Sequence, residues 1–99
     1  MAGVRDTYTR DYYISKEDEK KVLDKCRKAR GYEQVNLLHA CISANPDIAQ
    51  FIFINLTTGI GFDNMCKKEW IPMQRKDFQG YRRLAVYNFY DWLRMERKL

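Results

Sequence analysis

Apolar residues recur every three or four positions along most of this sequence, which is the spacing of one face of an α-helix. The first such segment follows Ser15, a residue type that caps helices. It has acidic residues in its first turn and basic residues in its last. We expect Gly31 to end this helix. Its apolar positions are Val22, Leu23, Cys26 and Ala29.

The next two segments are more apolar and predict two further helices. Asn45 and Pro46 fit the N-cap and the first position of the third helix. Residues 47–62 are the most hydrophobic part of the chain. "FIFINL" also has the composition of a strand, but the N-cap signal and the segment length favour a buried helix. The buried stripe of the second helix, over residues 32–44, is drawn through Val35, Leu38, Cys41 and Ile42, with Leu37 beside it.

A short fourth helix is predicted for "FDNMCKKEW", with Phe62, Met65 and Cys66 on its inner side. Ile71 precedes a proline, which pushes it out of the helical region, so "IPM" is expected to connect two helices. The residues from Gln74 onward predict a long final helix. Its buried stripe is drawn through Phe78, Tyr81, Ala85, Phe89 and Trp92.

These segments predict an all-α fold with four or five helices in a single domain spanning residues 1–99. Residues 1–14 are expected to be a flexible lead, and residues 62–97 to form a C-terminal helix-turn-helix with a long last helix. No run of apolar residues is long enough for a membrane span. "MAGVRDTYTRDYY" lacks the apolar region of a signal peptide, so we expect a cytoplasmic location.

The three cysteines stand far apart in the sequence and form no C-x-x-C motif. We therefore expect buried free thiols in a reducing compartment. His39 and Cys41 form one H-x-C pair that Cys66 could join at a metal, which is the weaker interpretation.

The charge is distributed unevenly along the chain. Residues 1–66 contain nine Lys and Arg and nine Asp and Glu, whereas residues 67–99 contain nine basic and four acidic residues. The whole formal net charge of +5 therefore lies in the last third. A basic element on a neutral support is typical of nucleic-acid binding, although a solvated cationic helix face would show the same asymmetry.

Two helices joined by a short apolar turn, the second starting with basic residues, have the order of a helix-turn-helix. The second helix of such a motif enters the major groove by its N-terminal part, where Arg and Gln suit the base edges. We therefore predict that Arg75 and Gln79 contact bases. On an ideal helix Arg75, Gln79, Arg82 and Arg83 lie within one broad face. The other predicted DNA-binding residues are Gln74, with Lys76, Arg82 and Arg83 on phosphates, and Lys67 and Lys68 of the fourth helix as further phosphate contacts.

The segment "GIGFDNMCKKEWIPMQRKDFQGYRRLAVYNFYDWL" resembles the C-terminal half of small regulators encoded by prophages of Gram-positive bacteria. That group includes late-gene transcription regulators with a helix-turn-helix similar to region 4 of sigma factors. The resemblance rests on an apolar-Pro-apolar turn at 71–73, Arg75, Phe78, the "YRR" cluster at 81–83 and the aromatic stretch at 89–93. It implies a DNA-binding domain in phage gene control, with duplex DNA and RNA polymerase as partners.

Two residues depart from the pattern of that group. Gln74 stands where the recognition helix usually begins with Ser, Thr or Gly, and glutamine is a poor N-cap. Gly80 lies inside the predicted helix, where glycine costs about 1 kcal/mol relative to alanine.

The alternative function is a small protein-interaction module, such as a phage accessory protein or an inhibitor of a host enzyme. A homodimer stays open under both interpretations. We expect no enzymatic activity and no cofactor, since the chain has one histidine and no phosphate loop, H-E-x-x-H motif or nucleophile elbow. The aromatic residues proposed for a protein contact are Tyr12, Tyr13, Tyr87, Tyr90 and Trp92.

Overall fold

The computed structural model describes residues 14–99, which fold into five α-helices with no strand in that range. The predicted all-α fold is therefore confirmed, and "FIFINL" is helical. The flexible lead predicted for residues 1–14 lies outside the described residues except for Ile14, which is partly buried against the core. The helices are α1 (Lys16–Lys28), α2 (Tyr32–Ala44), α3 (Ala49–Thr58), α4 (Phe62–Cys66) and α5 (Arg75–Met95).

The long helix α5 contributes to one core together with α1, α2, α3 and α4. Phe78, Phe89 and Leu93 of α5 are fully buried, and α2 runs antiparallel along this helix. The ring centroids of Tyr32 and Trp92 lie 5.9 Å apart, and Asn88 Nδ2 donates to the Ala40 carbonyl oxygen at 3.3 Å. Among residues 14–99, every fully buried side chain of the core is hydrophobic.

Two helix boundaries follow their local sequence signals. Ser15 caps α1, and its hydroxyl oxygen accepts a hydrogen bond from the Asp18 N–H at 3.1 Å, as predicted. Gly59 ends α3 with φ of +84°, a left-handed conformation in which glycine is favoured.

Two other boundaries differ from the prediction. α1 ends at Lys28, and Gly31 instead precedes α2 with φ of +54°, where the chain reverses direction. α3 begins at Ala49 rather than at Pro46, because residues 46–48 form a separate turn. Asn45 stabilises that turn, since its side-chain oxygen accepts from the Asp47 N–H at 3.0 Å.

The predicted buried stripe of α2 is mostly wrong. Val35, Leu38 and Ile42 are 52%, 37% and 44% exposed, respectively, whereas Cys41 is buried as predicted. The helix instead buries the side that carries Leu37 and Ala40, because α5 packs against it there. Both sides of α2 are apolar, so its periodicity alone did not determine which side faces the core.

The stripe predicted for α5 is largely confirmed. Phe78, Ala85 and Phe89 are buried, and Tyr81 and Trp92 are half-buried. Among residues 14–99, no helix combines the length and the apolar character needed to cross a membrane.

On α4, Phe62 and Met65 face the core as predicted, but Cys66 is exposed. The prediction of three buried thiols is therefore corrected, since the single turn of α4 buries only two side chains before the chain leaves the helix. Burial raises the pKa of Cys26 and of Cys41 to about 12.

Cys66 is expected to be the one thiol of the three that reacts rapidly in the native protein. At pH 8 a thiol of pKa about 12 is thiolate in only about one molecule in 10⁴, and burial also blocks access to Cys26 and Cys41. Titration with a chromogenic disulfide should show one rapid equivalent in buffer and three in denaturant. Cys66→Ser should remove the rapid equivalent, and rapid reaction of all three native thiols would contradict the assignment.

Candidate nucleic-acid interface

The connection between α4 and α5 is anchored by apolar residues. Ile71 is buried and Met73 is partly buried. The Met73 N–H donates to the Ile71 carbonyl oxygen at 2.8 Å, which closes a three-residue turn around Pro72. Eight residues, 67–74, separate the two helices, more than the three or four of a helix-turn-helix. We call residues 62–83 the α4–α5 unit.

Two contacts hold the beginnings of α4 and α5 side by side. The rings of Phe62 and Phe78 lie 5.1 Å apart between centroids, and both residues are buried. At the surface, Arg75 Nη1 lies 3.2 Å from Asp63 Oδ2. Both charged side chains are largely exposed, so this ion pair orients Arg75 more than it stabilises the fold.

Most of the predicted DNA-binding side chains of the α4–α5 unit reach solvent. Lys76 and Arg83 are seven residues apart on α5, so they lie on the same side of the helix two turns from each other. Lys67 and Lys68 follow the last turn of α4, where the chain enters the connection. The exposed members of the predicted set are Lys67, Lys68, Gln74, Arg75, Lys76 and Arg83.

The first turn of α5 also presents backbone donors. Gln74 is the N-cap residue, but its side chain makes no capping hydrogen bond. The N–H groups of a helix start, together with the helix dipole, favour an anion, and Asp77 already places a carboxylate in this first turn. Gly80 is buried within α5, and the helix continues through it without interruption.

Trp70 is the most exposed large hydrophobic residue that the structure describes, at 82%. It stands in the connection, two residues after Lys68 and directly before the buried Ile71. The sequence interpretation missed it as a surface residue. The available signal was its position between "KKE" and "IP", outside both helical stripes. An exposed tryptophan beside lysines can stack on a nucleotide base or a sugar.

Two of the predicted residues do not join this exposed group. Gln79 is half-buried, and Arg82 turns toward α3, where its Nε donates to the Asn55 side-chain oxygen. Burial lowers the pKa of Arg82, although its guanidinium remains charged at neutral pH. The prediction that Arg82 shares an open face with Arg75 and Arg83 therefore does not match its position.

Arg82 has a structural role at the C-terminal end of α3. The last turn of that helix contains no basic residue, and the negative end of its dipole favours a cation. Arg82 of α5 supplies this cation. The Arg27 guanidinium lies against Gly59, so close that a β-carbon added at Gly59 would lie 2.7 Å from it. Asn55 extends the cluster because its Nδ2 donates to the Ile60 carbonyl oxygen at 2.9 Å.

The metal site considered from His39, Cys41 and Cys66 does not form. His39 is exposed and Cys41 is buried, so they lie on different sides of α2. Among residues 14–99, no group of three His, Cys, Asp or Glu side chains is placed to hold a metal ion.

The aromatic contact patch of the alternative function is not an open surface. Tyr12 and Tyr13 lie outside the described residues, and Tyr90 is buried at 8% exposure. Tyr87 and Trp92 are half-buried and pack against the core.

A crevice of about 380 Å³ lies near the C-terminal end of α5. The Tyr90 hydroxyl donates to Asp18 Oδ2 at 3.2 Å, and the Arg94 guanidinium lies 5.4 Å from the Tyr90 ring centroid. These groups satisfy one another, and cations at a helix C-terminus complement the dipole. The residues that line the crevice are Asp18, Lys21, Tyr90, Arg94, Arg97 and Leu99.

The molecule was also compared with known proteins. No protein-family model, curated protein or solved structure matches the chain. The likeness to prophage regulators therefore stays a prediction that rests on residues 59–93.

Proposed function

We propose that this protein is a DNA-binding transcription regulator of the phage or prophage type, acting in the cytoplasm, and that its α4–α5 unit contacts duplex DNA. The observation that carries the proposal is the exposed basic group around one short connection: Lys67, Lys68, Arg75 and Lys76. Such a group neutralises phosphates, which supply much of the affinity for DNA. RNA polymerase is a second proposed partner, on the resemblance alone.

Lys67, Lys68, Lys76 and Arg83 keep the phosphate contacts that the sequence predicts. Arg75 is the best placed residue to contact a base, because Asp63 holds its guanidinium near the first turn of α5. Arg82 is removed from the binding set.

Lys67 and Lys68 provide the cleanest test, since neither forms an ion pair that the structure describes, whereas removing Arg75 would also disturb Asp63. Lys67→Gln/Lys68→Gln is expected to weaken binding to a labelled duplex roughly sixtyfold at about 0.1 M salt, which is about eightfold for each of two lost phosphate contacts. It should also reduce the slope of log K against log salt by about 1.8, or 0.9 per lost phosphate contact. Fluorescence anisotropy over a salt series measures both quantities.

Lys20→Gln/Lys21→Gln is the matched control. These two adjacent lysines are exposed on α1, so the variant loses the same charge from a different surface. We expect the control to keep the parent's salt slope. The proposal fails if the parent binds no duplex at low salt. It also fails if the two double variants lose affinity equally, because the effect would then come from net charge alone.

A further inference from the structure

Trp70 combines an exposed side chain with a backbone that is held on both sides. Before it, the N–H groups of Lys68 and Glu69 both donate to the Met65 carbonyl oxygen at 3.0 Å, which closes a turn directly after α4. After it, Ile71 is buried in the core. Trp70 itself is 82% exposed. The indole is therefore displayed to solvent from a fixed position in the connection.

The indole does not contribute to the core. Among residues 14–99, Trp70 belongs neither to the buried cluster nor to the partly buried hydrophobic residues that pack against it. Exposing a large aromatic ring to water is unfavourable, whereas its flat faces stack well on other planar groups. A single exposed hydrophobic residue is common on protein surfaces, so the groups around Trp70 have to decide whether it is a binding residue.

The charges around Trp70 favour nucleic acid over protein as its ligand. Residues 67–76 contain four basic residues and one acidic residue, Glu69. An indole beside cations suits a polynucleotide, since the cations contact phosphates and the ring stacks on a base. A protein partner anchored on Trp70 would have to cover these cations, although charged residues are depleted at the centre of protein interfaces. The four basic residues are Lys67, Lys68, Arg75 and Lys76, and all of them are exposed.

The stacking requirement distinguishes unpaired bases from paired ones. In a closed duplex each base is stacked between its neighbours, so both of its faces are covered. An unpaired base in a single-stranded or mismatched segment can turn one face to an aromatic side chain, and every base has such a face. An indole displayed on a turn can therefore bind a nucleotide that has left the base stack, but it finds no open face inside an intact duplex.

We propose that Trp70 stacks on an unpaired DNA base while Lys67 and Lys68 contact the phosphates beside it. The preferred ligand of the α4–α5 unit is then a duplex with a locally opened segment, rather than a duplex that is paired throughout. This inference rests on the proposed DNA binding and names the DNA structure that the same site prefers. Because stacking does not read the hydrogen-bonding edges of the bases, Trp70 should add affinity with little preference for sequence.

Fluorescence anisotropy with two labelled duplexes of equal length tests the inference at a single salt concentration. One duplex is fully paired, and the other has a short mismatched segment at its centre. The parent is expected to bind the mismatched duplex between about fivefold and about 150-fold more tightly, the range for stacking one base. Trp70→Ala should bind the paired duplex like the parent and bind both duplexes within about twofold of each other. Trp92→Phe is the matched control and should keep the parent's preference, because it changes the other tryptophan of the chain, which packs against the core.

The emission of Trp70 provides an independent readout, because Trp70 is the only tryptophan of the Trp92→Phe variant. The mismatched duplex should quench this emission more than the paired duplex does. Equal affinity of the parent for both duplexes would overturn the inference and leave the proposed duplex binding in place. So would a preference that persists in Trp70→Ala, or an equal loss of affinity for both duplexes in that variant. A parent that binds the mismatched duplex alone, with quenching, would instead support stacking and contradict the proposed duplex binding.

Discussion

Replacing Phe78 with alanine is expected to lower the free energy of unfolding by about 3–5 kcal/mol, the largest effect we expect from a single substitution. The Phe78 side chain is fully buried near the start of α5, and its ring packs 5.1 Å from that of Phe62. Removing it leaves a cavity where α4, α5 and the rest of the core meet. A domain of this size has a total stability of about 5–15 kcal/mol, so the loss is a large fraction of it.

Thermal and urea unfolding followed by circular dichroism measure this loss. The midpoint temperature should fall by at least about 12 °C, since 1 kcal/mol corresponds to about 4–8 °C in a domain of this length. Trp70→Ala is the control, because it removes a larger ring at a position that is 82% exposed. Its stability should stay within about 0.5 kcal/mol of the parent. A Phe78→Ala protein that melts with the parent would show that the α4–α5 contact is not part of the core.

The helices themselves could be predicted from sequence because their signals are local. Ser15 caps α1 through a hydrogen bond to a residue three positions away, and Gly59 ends α3 by its own backbone conformation. Proline after Ile71 separates α4 from α5 whatever the rest of the chain does. Such signals need no knowledge of the tertiary structure, and the order of five helices follows from them.

The orientation of each helix required information that periodicity does not contain. α2 has apolar residues on both sides, and only the position of α5 decides that Ala40 is inside and Val35 outside. Periodicity also failed to predict that Cys66 is exposed. α4 is only one turn long, and the chain leaves it before a third side chain is buried. The helical pattern identifies candidate faces, and tertiary packing selects among them.

The grouping of the candidate DNA-binding residues along the chain could be predicted from sequence, but the exposure of each one could not. The basic residues around the α4–α5 connection are close in sequence, and most of them are exposed. Arg82 differs because its partner, Asn55, lies 27 residues earlier in the chain. A contact between residues so far apart in the sequence cannot be predicted from local spacing. Arg82 was therefore grouped with the DNA-binding residues because of its charge alone. Trp70 was missed because it belongs neither to a helical stripe nor to the basic residues, so no pattern in the sequence marked it.

The adjacent pair Arg82 and Arg83 therefore allows a test in which identical substitutions have opposite consequences. Arg82→Met keeps an unbranched side chain but removes the charged group that donates to Asn55. The Asn55 side-chain oxygen then loses that hydrogen-bond partner. We expect unfolding free energy to fall by about 1.5–3 kcal/mol, the range for a hydrogen bond to a charged group. Urea unfolding measures this value.

Arg83→Met is the matched variant, since Arg83 is exposed one residue further along α5. Because Arg83 is exposed, any contact it makes contributes only about 0–1 kcal/mol, so the variant's stability is expected to stay within about 1 kcal/mol of the parent. Its affinity for duplex DNA should fall about eightfold at 0.1 M salt, the value for one lost phosphate contact. Arg82→Met, compared at a temperature where it is fully folded, should bind duplex within about twofold of the parent, because its guanidinium is held against α3. If Arg82→Met is instead as stable as the parent and binds DNA more weakly, Arg82 belongs to the DNA-binding surface and the cluster at the end of α3 does not need it.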